Sequence, residues 1–209
     1  MFVIYILIAA TCIISFLAFN NPTLLNKLLL YPRVMTQPNE FYRTLSSGFV
    51  HADYQHLLFN MMTLYFFAEP MESVLREWLH LPSNLVLFFF YLLAIVISSL
   101  PALRKHRNNP YYRALGASGG VSAVVFFTIF YFPWAGIRIY FIPIGIPAII
   151  YGVLYVGYSY FMSKRGNDSI GHDAHLSGAI FGFLFALLVD PGHGLSLLVQ
   201  LMRPHFDGL

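Results

Sequence analysis

The chain has 209 residues, of which 58% are hydrophobic and only 10% charged, with a mean hydropathy of +0.66. Soluble domains carry roughly 25% charged residues, so this composition excludes an ordinary water-soluble fold and calls for a lipid environment. The net charge of +3 is modest, and the 12 basic residues lie between apolar runs without a basic stripe. That distribution argues against nucleic-acid binding.

In chain order, the apolar runs predict an all-α membrane protein of six transmembrane helices in one domain covering residues 1–209. The spans fall at 2–20, 55–74, 83–103, 118–132, 145–162 and 174–189, several of them near the length that matches the hydrocarbon core of a bilayer. The first run has no basic segment ahead of it and no small-residue cleavage site after it, which favours a retained helix over a signal peptide. It holds the single cysteine, Cys12, so neither an intramolecular disulfide nor a cysteine metal cluster is available. The first linker, 21–54, carries apolar stretches such as Leu28-Leu29-Leu30-Tyr31 and is expected to lie in the membrane interface. About twenty residues follow the sixth span, and no further soluble domain is expected at either end.

The second, fourth and sixth spans are shorter or more polar than lipid-facing helices and contain His56, Asn60, Ser118 and His175. Polar side chains at membrane depth belong in a protein-lined interior, so these spans are expected at the centre. His51, His56 and Asn60 run from the linker into the second span, and His56 and Asn60 share one helical face. Both could donate hydrogen bonds into one cavity, as an oxyanion hole requires. Zinc binding competes with that reading, but no third histidine or carboxylate stands at ligand spacing, and no metal or cofactor is expected.

At the start of the fourth span, Gly116-Ala117-Ser118-Gly119-Gly120 puts Ser118 in a first helical turn. Unpaired amides there can stabilise a developing oxyanion, although the same run also suits small-residue helix packing. The sixth span opens with Ala174-His175 followed by Gly178 and Gly182, a Gly-xxx-Gly face on the same side as the imidazole. If its neighbour is the helix begun by Ser118, nucleophile and base come within hydrogen-bonding reach. Otherwise His175 is a buried histidine satisfied by a carbonyl. Asp173, just before, reads as an N-terminal cap or charge pointing away from His175.

Taken together and in this order, these constellations resemble the rhomboid family of intramembrane serine proteases over nearly the whole chain. The family's His, His and Asn pattern falls on His51, His56 and Asn60, its Gly-x-Ser-Gly on Gly116 to Gly119, and its Ala-His-xx-Gly-xxx-Gly on Ala174 to Gly182. Glu72 and Arg43 resemble a further family glutamate and first-loop arginine, with Tyr42 where a tryptophan often stands. The resemblance implies a Ser118–His175 dyad without an acidic third member, and an oxyanion held by His56, Asn60 and the Ser118 amide. Its implied substrates are single-span membrane proteins, cleaved near helix-destabilising residues in a cavity lined by His51, His56, Asn60, Ser118 and His175. Many members carry an aromatic residue four positions after the serine, stacked on the histidine, where this chain has Ser122. That stacking role is either vacant or filled from elsewhere.

Orientation is where two rules disagree. With alternating spans, Lys27, Arg33, Arg43, Arg104, Lys105, Arg107, Arg113, Lys164 and Arg165 share one side, and Arg76, Arg138 and Arg203 the other. The positive-inside tendency would make the first side cytoplasmic. The resemblance implies the opposite, a bacterial inner-membrane protein whose site opens outward, and that reading is preferred because many of those charges sit in a long linker and beside the cavity. A transporter or channel, and a catalytically silent membrane-protein binding module, are the rival readings.

Overall fold

A computed structural model describes residues 2–79, 81–137, 145–165 and 171–206. Its long helices are α1 (Phe2–Phe19), α4 (Tyr54–Trp78), α5 (Ser83–His106), α6 (Ser118–Tyr131), α7 (Ala148–Arg165) and α8 (His172–Val189). These occupy the six positions predicted from hydropathy. By length and composition alone, α1, α5 and α8 are long and apolar enough to cross a bilayer.

Several boundaries differ, for physical reasons. The second span continues past 74 to Trp78, straight through Pro70, because Glu72 and Arg76 pair along the helix at 3.6 Å and Glu72 is buried. The fifth begins at Ala148 rather than 145, since Ile146 and Pro147 instead form β2 of a two-stranded hairpin with β1 (Gly136–Ile137). Arg138, counted in the charge balance, lies outside the described residues. The first linker is folded into α2 (Pro22–Leu28), α3 (Arg43–Ser46) and two short 3-10 turns. Asn21 caps α2 by accepting from the Leu24 amide at 3.0 Å, which leaves Pro22 at the position where its missing N–H is harmless. A last helix, α9 (His193–Met202), was not foreseen; Trp134 fastens it by donating its indole N–H to the Gln200 carbonyl at 2.8 Å.

The centre of the bundle is α6, in which every residue from Gly119 to Tyr131 is buried. A helix apolar on all sides is stable only when surrounded, and α4, α5, α7 and α8 all pack against it. Phe90 of α5 stacks on Phe181 of α8 at 5.2 Å, and Phe127 of α6 closes on Phe90 from the side at 6.2 Å. Fourteen residues of α helix reach about 21 Å, some 9 Å short of a hydrocarbon core of ~30 Å. At one end at least, α6 therefore stops short of the membrane surface.

Candidate active site

The loop entering α6 is held by the first linker. Gly116 donates its amide to the Ser47 carbonyl at 2.9 Å and adopts φ +113°, a left-handed conformation that side chains resist. It also has no room for one, since a Cβ would lie 2.6 Å from His56 Cε1. One residue on, the Ala117 amide donates to His51 Nε2 at 3.2 Å. With Nε2 accepting, His51 carries its proton on Nδ1 and gives it to Ser15 Oγ at 3.0 Å, and Ser15 passes its own proton to the Phe49 carbonyl. His51 is fully buried, and burial pushes its pKa down to about 3, so it stays a neutral connector between α1, the linker and the serine loop.

Ser118 is the first residue of α6, so the amides of its turn lack intrahelical acceptors and point past the side chain toward the open end. Across from it runs α8. A Cβ at Gly178 would collide with the backbone of Gly119, and one at Gly182 with the backbone of Ala123, so the two helices touch through bare glycine along this face. That approach brings His175 Nε2 to 2.8 Å from Ser118 Oγ, although 57 positions separate the residues. A hydroxyl and an imidazole nitrogen at this separation can exchange a proton.

Asp53 caps α4 by accepting from the His56 amide at 2.7 Å, and one turn later Asn60 donates its side-chain amide to the His56 carbonyl at 2.8 Å. Asn60 then faces a cavity of about 140 Å³ shared with Ser118, His175, Thr63, Tyr151 and Tyr155. The lining predicted from sequence needs correcting. His51 is absent from it because both ring nitrogens are spent on Ser15 and Ala117. His56 packs beside Gly116, edge-on to His51 at 4.9 Å, rather than among the residues around the cavity. On the other side of Ser118 lies a smaller space of about 40 Å³, bordered by Ser47, Ser98 and Gly119 and roomy enough for a water molecule. Among the described residues no three His, Cys, Asp or Glu side chains converge as metal ligands.

Two predicted residues serve the frame instead. Arg43 is buried and donates from Nη1 to the carbonyls of Asn26 and Leu29 at 2.7 and 3.0 Å while pairing with Glu40, which stitches α3 to α2. Glu72 lies twelve residues beyond Asn60, about 18 Å along α4 and away from the cavity. Of the two readings of Asp173, the charge in the first turn of α8 holds and the cap does not. The N-cap of α8 is Gly171, and the Asp173 carboxylate takes Lys105 of α5 at 2.9 Å and the Ser163 hydroxyl of α7, so it ties three helices together.

One residue that sequence reasoning missed comes from α7. The Tyr155 ring stacks on His175 with centroids 5.5 Å apart and planes 26° off parallel, and its hydroxyl meets Ser122 Oγ at 2.6 Å. The face of the histidine left uncovered by Ser122 is thus covered from a different helix. The only local sign was the pair Tyr151 and Tyr155, four apart on one helical face, which by itself reads as packing.

A buried short helix with a half-buried first-turn serine, held by glycine contact against a histidine helix inside an apolar bundle, defines an all-α membrane protein with a paired hydroxyl and imidazole. Comparison with known proteins gives the lineage. The Rhomboid domain matches residues 38–191. The chain is 33% identical over 150 residues to RHOMBOID-like protein 12, mitochondrial, of Arabidopsis thaliana, covering 65% of this chain and 42% of that protein. It is 26% identical over 156 residues to Rhomboid-related protein 1 of Caenorhabditis elegans (72% and 40% covered), and 25% identical over 190 residues to Rhomboid protease GlpG of Haemophilus influenzae (88% and 90% covered). The chain belongs to the rhomboid family and is a membrane protein. It spans about two fifths of the length of the plant and nematode relatives and nine tenths of the bacterial one.

Proposed function

We propose that this protein is an intramembrane serine endopeptidase that cuts single-span membrane proteins in or near their transmembrane segments. The observation that carries the reading is the 2.8 Å contact between Ser118 Oγ and His175 Nε2 at the edge of a cavity into which Asn60 and Thr63 also bring polar groups. As the Ser118 oxygen bonds to the scissile carbonyl carbon, its proton passes to His175 Nε2 and the carbonyl π electrons move onto oxygen. The Ser118 amide, the Asn60 side-chain amide and His56, packed on Gly116, are the proposed donors to that oxyanion; one such donor contributes roughly 3 to 4 kcal/mol. Collapse of the tetrahedral intermediate breaks the C–N bond, and His175 returns its proton to the leaving amine. Water, deprotonated by His175, then releases the acyl group from Ser118.

Peptide hydrolysis inside a bilayer needs water and an unwound peptide bond. The shortness of α6 and the cavities beside Ser118 suit the first need. The second favours substrates with helix-destabilising residues near the cut and a small residue before it. The rhomboid family, and the name of the bacterial relative as a protease, support the reading. The proposed setting is a bacterial inner membrane with the cavity opening outward.

The test is cleavage of a transmembrane substrate in detergent micelles. Wild type should cut, and Ser118→Ala and His175→Ala should lose at least about a thousandfold in rate. A Ser118→Ala protein that cuts as fast as wild type would rule the proposal out.

A further inference from the structure

From the geometry of the third helix at the site we infer that Tyr155 is a positioning residue for His175, tethered to the Ser118 turn through Ser122. The inference rests on the proteolytic reading above.

Ser122 Oγ lies 2.7 Å from the Ser118 carbonyl and has one proton, which it gives to that carbonyl. The 2.6 Å contact with the tyrosine therefore runs the other way, with the Tyr155 phenol donating to Ser122 Oγ. One side chain thus reaches both partners of the candidate dyad: its ring covers the imidazole, and its hydroxyl grips the turn that carries the serine. An imidazole in a wet cavity can rotate about its side-chain torsions and exchange its serine contact for water. A ring stacked on one face removes those rotamers. Three other described groups lie near His175, and none of them stacks on its face. Ser118 approaches along the ring plane, His172 meets the ring edge-on at 5.7 Å, and Lys105 of α5 is engaged by Asp173.

The helix supplying the ring is lightly held. Three residues of α7, Ala148, Gly152 and Ser159, are buried, against thirteen in α6. Its far end is fixed by Ser163 to Asp173, and its middle by Tyr155 to Ser122. Alignment of the base therefore depends on α7 being seated, and any displacement of α7 that breaks the Tyr155–Ser122 bond also uncovers His175.

The experiment measures Ser118 labelling by a fluorophosphonate in micelles, per folded molecule, beside kcat and KM for a transmembrane substrate. Tyr155→Leu should lower the labelling rate and kcat about tenfold while KM stays within about twofold. Tyr155→Phe keeps the ring but loses the hydrogen bond and should fall about two- to fivefold below wild type in both rates, and Ser122→Ala should match it. A wild-type labelling rate in Tyr155→Leu overturns the inference, as does a loss confined to KM. If Tyr155→Leu does not fold, Tyr155→Phe and Ser122→Ala decide: equality with wild type in both rates overturns the tether. Failure of the wild type itself to label at Ser118 instead brings down the proteolytic reading.

Discussion

The contact between α6 and α8 yields a prediction that can be worked from distances. A methyl group added at Gly178 would overlap the Gly119 carbonyl oxygen and stand 2.9 Å from the carbonyl carbon, whereas ordinary contact begins at 3.4 Å; clearing the carbon alone takes 3.4 − 2.9 = 0.5 Å, and clearing the oxygen takes more. Moved straight back, His175 Nε2 would go from 2.8 Å to at least about 3.3 Å from Ser118 Oγ, beyond the usual range of such a bond. A misplacement of 1 Å can cost about a hundredfold in rate, so half that shift predicts a loss of about tenfold or more for Gly178→Ala. Overpacking destabilises by ~1–3 kcal/mol, partly offset by up to ~1 kcal/mol of helix propensity gained on replacing glycine. The control is Gly157→Ala on α7, where an added methyl meets nothing within 4 Å; it should keep full activity. Micelle cleavage rates, normalised to the folded fraction from thermal unfolding, make the comparison. Wild-type turnover per folded molecule in Gly178→Ala would refute the reasoning that glycine contact sets the distance between serine and histidine.

Gly116→Ala should be impaired in both stability and activity, because φ +113° costs a side chain roughly 1–2 kcal/mol and its Cβ would displace His56; unfolding and cleavage assays read the two separately. Arg43→Ala should lower stability by about 2–3 kcal/mol, since it strips a charged donor from the Asn26 and Leu29 carbonyls, yet leave turnover per folded molecule near wild type. His51 has a folded pKa near 3 against 6.5, so between those values the unfolded chain holds a proton that the folded one does not, and stability falls as pH drops. At pH 4 the loss is at most about 3 kcal/mol relative to pH 7, and a His51→Gln variant should flatten that part of the unfolding profile. For orientation, a cysteine at Tyr111, which is 89% exposed in the loop ahead of Ser118, should react with an impermeant thiol reagent from outside intact cells; protection there, with labelling only after lysis, would reverse the proposed topology.

The parts of the fold that the sequence made legible are those where a single local feature has a large energetic consequence. A polar-to-apolar border with glycines on both sides of Ser118 marks a helix start, and glycines four apart after His175 mark a face that can touch another backbone. What stayed hidden depends on residues far apart in the chain. The end of α4 beyond 74 lay outside the predicted span, because the pairing of Glu72 with Arg76 and the burial of Glu72 exist only in the packed bundle. Asp173 looked like a cap since its partners, Lys105 and Ser163, are 68 and 10 positions away on other helices. Tyr155 was one of 14 tyrosines, and nothing in its neighbourhood distinguishes it from a lipid-facing ring.

The division of labour among the helices follows from how each is buried. Between α6 and α8, contact is backbone to backbone through Gly119, Gly178, Ala123 and Gly182, which leaves no soft side chain to absorb movement. Such an interface fixes a distance to within tenths of an ångström, as a proton transfer demands. Between α7 and the rest, the links near the site are a stacked ring, a phenol hydrogen bond and a partly exposed ion-pair cluster, each worth on the order of 1 kcal/mol. Near the site, α7 is thus tied less rigidly than α6 and α8 are to each other. Tyr151 and Tyr155 of α7 and Asn60 and Thr63 of α4 line the cavity together, so on the proteolytic reading α7 is the wall of the cavity tied least firmly to the dyad.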